Sequence, residues 1–190
     1  YRGELMNPII VLDPGHGGTQ TGAVANGMRE KDLNLDIAQR TRSALQAFYG
    51  YKAVMTREDD RTLSLTERYR MANGRNASLF VSIHCNAFDG KTRGYETFVR
   101  RNPDARRLLV GKTLHARMAR FYAKDFCKAP DRGLKTQDFT VLRYTAMPAV
   151  LVENLFMDHK VEASLLKKES FRIEIAKALA VGIREAIGVL

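Results

Sequence analysis

The sequence predicts a single α/β domain, with a central, mostly parallel, twisted sheet of about six strands flanked by helices. Three observations carry this expectation. Strand-like and helix-like segments alternate from one end of the chain to the other. The strongest strand candidates are continuous apolar runs, as expected of strands covered on both faces. Three of these runs lead into an ionisable residue: His16, His84 or Glu153.

Taken in order, Ile9-Ile10-Val11-Leu12 is the first strand, and Pro14 and the turn Gly15-His16-Gly17-Gly18 end it. Residues 31–48 have helical spacing, with Leu33, Ile37, Ala38, Thr41, Leu45 and Phe48 on one face and Gly50 as the stop. Residues 51–56 read as a strand. Ser64 or Thr62 caps a helix over 65–72 that Asn73-Gly74 closes. Strands follow over 77–84 and 94–99, then a helix over 104–124 behind Asn102-Pro103. Residues 129–133 form a turn cluster, 139–142 a short strand, and Met147-Pro148 opens the strand 149–153. A short helix over 161–166 precedes the last one, 169–187, whose stripe Phe171, Ile175, Leu179, Ile183 and Ile187 packs on the sheet.

At 190 residues, 45% hydrophobic and 27% charged, the chain suits one domain with a core of its own. No apolar run approaches the ~20 residues of a membrane span. No signal-peptide pattern precedes the first strand. Cys85 and Cys127 form no CxxC pair and indicate neither a disulfide framework nor a thiolate metal site. The net charge is +10, and residues 100–135 hold eleven Lys or Arg against Asp104, Asp125 and Asp131. Such a face suits an acidic polymer, an anionic membrane or nucleic acid. No nucleic-acid fold signature accompanies it, so nucleic acid is not favoured as a partner.

In open α/β sheets, ligand sites form outside the carboxyl ends of neighbouring strands, so His16, His84 and Glu153 are candidates to converge. Two imidazoles and one carboxylate make a three-ligand catalytic zinc set with an open position for water. Spacing alone does not choose the carboxylate. Cys85 follows His84 directly, but adjacent strand residues face opposite ways, which argues against a Cys/His nucleophile. The glycine turn lacks the ending of a P-loop and the spacing of a dinucleotide fingerprint.

The run Leu12-Asp13-Pro14-Gly15-His16-Gly17-Gly18 resembles the opening motif of zinc-dependent N-acetylmuramoyl-L-alanine amidases of the amidase 3 type. This family includes autolysins, division amidases and phage endolysins. The resemblance continues in order through Arg29 to Leu35, Thr56-Arg57 with Asp59 or Asp60, Leu65 to Asn73, and Val81 to Ala87. It ends with Asp131 to Lys135, Phe139 to Arg143 and Met147 to Glu153. It implies one zinc ion on His16, Glu30 and His84, with Glu153 as the catalytic glutamate. Asn86 and Lys135 are expected to contact substrate, and Gly15, Gly17 and Gly18 to let the backbone clear metal and substrate. By the same resemblance, residues 7–190 are the catalytic domain and 1–6 a leader or remnant. The substrate is peptidoglycan, the protein acts outside the cytoplasm (in periplasm or cell wall) or on release as a phage lysin, and a protein activator is among its partners. A monomer with an unoccluded site is expected. Rival readings are a zinc hydrolase of another cell-wall amide, such as a peptidase or deacetylase, and a non-catalytic cell-wall-binding module. His115 and His159 match no family ligand. Leu155 stands where the family commonly has glycine, which questions the backbone beside Glu153.

Overall fold

The first strand, β1 (Ile10–Pro14), runs into a glycine turn and then a small antiparallel hairpin, β2 (Val24–Ala25) and β3 (Met28–Arg29). Helix α1 (Glu30–Tyr49) returns to the edge strand β4 (Ala53–Met55), and α2 (Leu65–Gly74) leads to β5 (Leu79–Asn86). Next come β6 (Tyr95–Val99), α3 (Ala105–Tyr122), β7 (Asp131–Thr136) and the single turn α4 (Thr140–Arg143). The chain closes with β8 (Ala149–Phe156), α5 (Lys160–Leu166) and α6 (Glu169–Ile187). These assignments come from a computed structural model that describes residues 8–190. The expected leader, 1–6, lies outside the described residues.

Six strands form one sheet in the order β4-β1-β5-β8-β6-β7. The first four are mutually parallel; β6 pairs antiparallel with β8, and β7 parallel with β6. The fold class read from the sequence therefore holds. The reversed pair has a consequence for the site: the amino ends of β6 and β7 arrive at the edge where β1, β5 and β8 end. The three strands that lead to His16, His84 and Glu153 are immediate neighbours.

Helices cover both faces. Ile10, Leu12, Val81, Ile83, Val150 and Val152 face α1, α3 and α6, while Val11, Phe80, Ala149 and Leu151 face α2 and α4. Residue by residue, each strand serves two cores, which is why its sequence is apolar without alternation. Ser64 is the cap of α2, in a reciprocal capping box with Glu67.

Two expected elements differ. Residues 139–142 form no strand; the segment turns into α4, because Val141 and Leu142 are adjacent and both buried in the second core. A strand would turn one of them away. The turn expected at 129–133 overlaps the start of β7, an edge strand with half-buried residues and a bulge at Gly133, so it has no apolar signature.

The doubt over Leu155 resolves into a bulge. His84 pairs with Glu153 and Asn86 with Phe156, so β8 spends one residue more than β5 over the same span. Leu155 adopts φ +68 there and is fully buried in the main core. The Asn154 side chain donates to His84 O (3.0 Å) and accepts from Tyr122 Oη (2.9 Å). The buried Glu162 carboxylate accepts from Phe156 N and Gly94 N, both 2.8 Å. The left-handed backbone costs about 1–2 kcal/mol in a residue with a Cβ, whereas emptying a buried leucine site costs about 2–5 kcal/mol. Packing wins. Leu155→Gly is therefore expected to lower the free energy of unfolding in urea by about 1–3 kcal/mol; a more stable variant would show that strain dominates.

Candidate metal centre

The turn after β1 is held by two buried guanidiniums. Arg68 donates to Pro14 O (2.8 Å) and His16 O (2.7 Å), and Arg57 to Pro14 O (3.0 Å), Gly15 O (2.9 Å) and Lys31 O (2.8 Å). Arg68 is itself paired with the buried Asp13 at 2.8 Å. Asp13 also accepts from Thr56 Oγ1 (2.6 Å), just past β4, and from Ser82 Oγ (2.7 Å) within β5, tying β1 to both neighbours. Asp60 completes the brace, accepting from Gly18 N (2.7 Å) and Lys31 Nζ (2.6 Å), while Asp59 pairs at the surface with Arg61. So constrained, His16 takes a left-handed φ of 61, and its ring points towards α1.

Glu30, the first residue of α1, meets both imidazoles. Its Oε2 lies 3.1 Å from His16 Nε2, and its Oε1 2.9 Å from His84 Nδ1. One donor atom from each of the three residues falls within 4.8 Å of the others, and the two rings stand edge to face. Ala23 N (3.0 Å) and Asn34 Nδ2 (3.2 Å) fix the two Glu30 oxygens, and Asn34 also reaches Gly15 O (3.3 Å). Burial is the largest single influence on the Glu30 carboxyl and opposes its ionisation. Hydrogen bonds and charge from His16 and His84 together outweigh it and hold the group well below the usual carboxylate range.

Two glycines make room for this cluster. A Cβ on Gly15 would lie 2.1 Å from His84 Cε1, and one on Gly22 would lie 2.5 Å from Glu30 Oε2. Gly17 and Gly18 instead clear the 57–62 segment.

Glu153 stands beside His84 in register, one strand further along the sheet. Its Oε2 is covered and has no hydrogen-bond partner among the described residues. Burial first, then the charges of Glu30 and Glu96, push its carboxyl well above the ordinary range. Glu96, directly opposite on β6, is nearly buried and accepts from Asn86 Nδ2 (2.8 Å), Arg132 Nε (3.1 Å) and Lys135 Nζ. Across the edge of the sheet therefore runs one row: His16, His84, Glu153, Glu96, Arg132.

The structure thus brings His16, Glu30, His84 and Glu153 together, and seats Asn86 and Lys135 on one carboxylate beside them. Sequence reasoning missed that carboxylate, Glu96, and also Asn34. Asn34 had a local signal, four residues after Glu30 on the same helix face. His115 bonds Thr97 and Asp131 and stacks on Tyr95, and His159 caps α5; neither joins the cluster. Cys85 faces the main core, where burial and the charges of Glu30 and Glu153 push its thiol up, so it is no nucleophile. The basic stretch divides: Arg107 closes on Asp104 and Ala146 O, Arg117 on Glu185, and Arg132 and Lys135 turn to the row. Between Asn86 and Asp131 the chain forms β6 and α3 and no second helix, and the His16 side chain remains 31% exposed.

Fold and site define a hydrolase domain of α/β architecture with a candidate metal centre at its strand ends. Residues 10–185 match the family Amidase_3, N-acetylmuramoyl-L-alanine amidase. The chain belongs to this family and is an amidase of the peptidoglycan-cleaving class. It is 43% identical over 184 residues to the endolysin of Bacillus phage SPP1, covering 96% of this chain and 67% of that protein. The catalytic domain of CwlV, an N-acetylmuramoyl-L-alanine amidase from Bacillus (Paenibacillus) polymyxa var. colistinus, superposes with a TM-score of 0.87 at 32% identity, covering 96% of this chain and 99% of that one. The CwlD amidase from Clostridioides difficile, solved in complex with the GerS lipoprotein, gives 0.88 at 30% identity, covering 97% and 100%.

Because Asn34 orients Glu30 from behind, Asn34→Ala is expected to weaken metal binding about 10–100-fold. Competition with a chromogenic chelator measures this, and unchanged affinity would deny the residue its orienting role.

Proposed function

We propose that the domain, residues 7–190, cuts the amide between the lactyl group of N-acetylmuramic acid and L-alanine, using one zinc ion held by His16, Glu30 and His84. The observation that carries the reading is the close set of two imidazole nitrogens and a carboxylate beside the unpartnered Oε2 of Glu153. The set fits zinc in chemistry: two imidazole nitrogens and a carboxylate oxygen, all within 4.8 Å of one another, are donor types that a catalytic zinc takes. A zinc ion in this cradle supplies Lewis acidity, acidifying water and polarising a carbonyl.

The chain's own groups do the rest. Glu153 Oε2 takes the proton of the attacking water and delivers it to the leaving amine nitrogen. Burial and the charge of Glu96 favour the acid form of Glu153, which passes its proton to the nitrogen as the C–N bond breaks. Asn86 and Lys135 contact the substrate. Water is the nucleophile, so no cysteine or serine is required. A peptidase or deacetylase of the wall would use the same donors; mass analysis of digested peptidoglycan separates them by product.

The protein acts outside the cytoplasm, in periplasm or cell wall, or on release as a phage lysin, as a monomer. No helix among the described residues is long and apolar enough to cross a membrane. The GerS-bound state of the CwlD amidase supports a protein activator as partner.

Glu153→Gln is expected to keep about one zinc per chain and lose about 10²–10⁴-fold in turnover, whereas His84→Ala loses the zinc itself. Metal analysis with release of L-alanyl amino groups measures both; near-full activity in Glu153→Gln would end its general-base role. The Glu96 charge raises the Glu153 carboxyl, and the base acts deprotonated, so kcat/KM rises with pH through that ionisation. Glu96→Gln removes a like charge and is expected to move the acidic limb to lower pH. A limb that stays or moves upward would contradict the coupling.

A further inference from the structure

The outer end of the charged row holds more cation than its own structure needs. Two side chains, Arg132 and Lys135, converge on the single carboxylate of Glu96. One of them would neutralise it; the pair leaves a surplus of one positive charge. Glu96 is 6% exposed, while the Arg132 and Lys135 side chains are 33% and 40% exposed, so the anchor is buried and the cations reach water.

Arg132 is held in a way that leaves its fork free. Its Nε donates to Glu96, and its guanidinium lies 5.0 Å above the Phe156 ring. Its two terminal nitrogens, Nη1 and Nη2, make no hydrogen bond among the described residues. A planar guanidinium anchored through Nε, with both terminal nitrogens open, presents the geometry that binds a carboxylate through two parallel bonds. Lys135 Nζ spends one of its three donors on Glu96, beside this fork.

Position selects the ligand. Glu96 faces Glu153 across one strand spacing. Arg132 and Gly133 both fall opposite Glu96, between the Tyr95–Asp131 and Thr97–Leu134 pairs. Arg132 therefore sits two spacings from Glu153, ~10 Å at ~4.8 Å each. Three residues of extended peptide, at ~3.3–3.6 Å each, cover that distance, and two do so once the reach of the Arg132 side chain is added. We propose that Arg132 and Lys135, tethered by Glu96, bind a carboxylate of the stem peptide within two or three residues of the scissile amide, on the leaving-amine side. This rests on the amidase reading above. Glu96 is the positioning residue, and the cations set specificity for an acidic peptide over its amidated form.

The test uses synthetic muramyl peptides that differ only in whether the residue after L-alanine carries a free carboxylate or a carboxamide. The unaltered protein is expected to prefer the carboxylate by at least about 10-fold in kcat/KM, mainly through KM. In Arg132→Gln the ratio falls to about 1, and in Arg132→Lys, which keeps the charge without the fork, it lies between. Zinc content and thermal melting report whether each variant is folded. If Arg132→Gln does not fold, Lys135→Met, which keeps the Arg132 tether, is expected to narrow the same ratio. A ratio of about 1 in the unaltered protein, or an unchanged ratio in the folded variants, overturns the proposal. Failure of the unaltered protein to release an L-alanyl amine from either substrate overturns the amidase reading itself, a distinguishable result.

Discussion

The site depends on the capture of backbone carbonyls by Arg57 and Arg68. At the end of β1 the chain must leave the sheet, turn through a left-handed histidine and still bury Pro14, Gly15 and His16 carbonyls. Without donors these groups would stand unpaired in the interior, each costing about 1–3 kcal/mol. The guanidiniums answer that need, and Asp13 answers theirs. Removing one partner from such a buried pair costs about 3–5 kcal/mol, so the turn has few alternatives. This frame sets the backbone from which the His16 ring reaches Glu30 and His84.

The reversal of β6 and β7 extends the frame sideways. In a wholly parallel sheet the carboxyl edge would collect strand ends only. Here it also receives the beginnings of two strands, and with them Glu96 and Arg132. Acidic and basic groups then alternate in function along a single edge: donors for a cation, a carboxylate with an unpartnered oxygen, a buried anion, and exposed cations. The Leu155 bulge lets β8 keep its register with β5 through Glu153 and still pass Phe156 under the Arg132 guanidinium.

The strand ends could be read from the sequence because their runs are apolar on both faces, and the histidines interrupt them at glycine-rich or polar turns. Glu30 could not be read locally. An acid at a helix start is common for reasons of dipole alone, and only the resemblance singled it out. Glu96 left no trace: in Tyr95-Glu96-Thr97-Phe98-Val99 a glutamate fits ordinary alternation. Its weight comes from β6 lying antiparallel to β8, which no local pattern encodes. The same holds for Asn86 and Lys135, whose meeting on Glu96 is a property of topology. β7 was hidden by half-exposed residues, and α4 by a β-branched composition that suited a strand.

Strand β8 is nearly last in the chain yet lies between β5 and β6 in the sheet. As the polypeptide emerges from the ribosome, β1, β4 and β5 can pair early, but β5 keeps an open edge until residues 149–156 arrive. That late insertion brings Glu153 beside His84 and closes the sheet in one event. A nascent chain therefore has an unshielded strand edge, a hazard for self-association. The last strand to be made is the one that both seals the sheet and sets Glu153 beside His84.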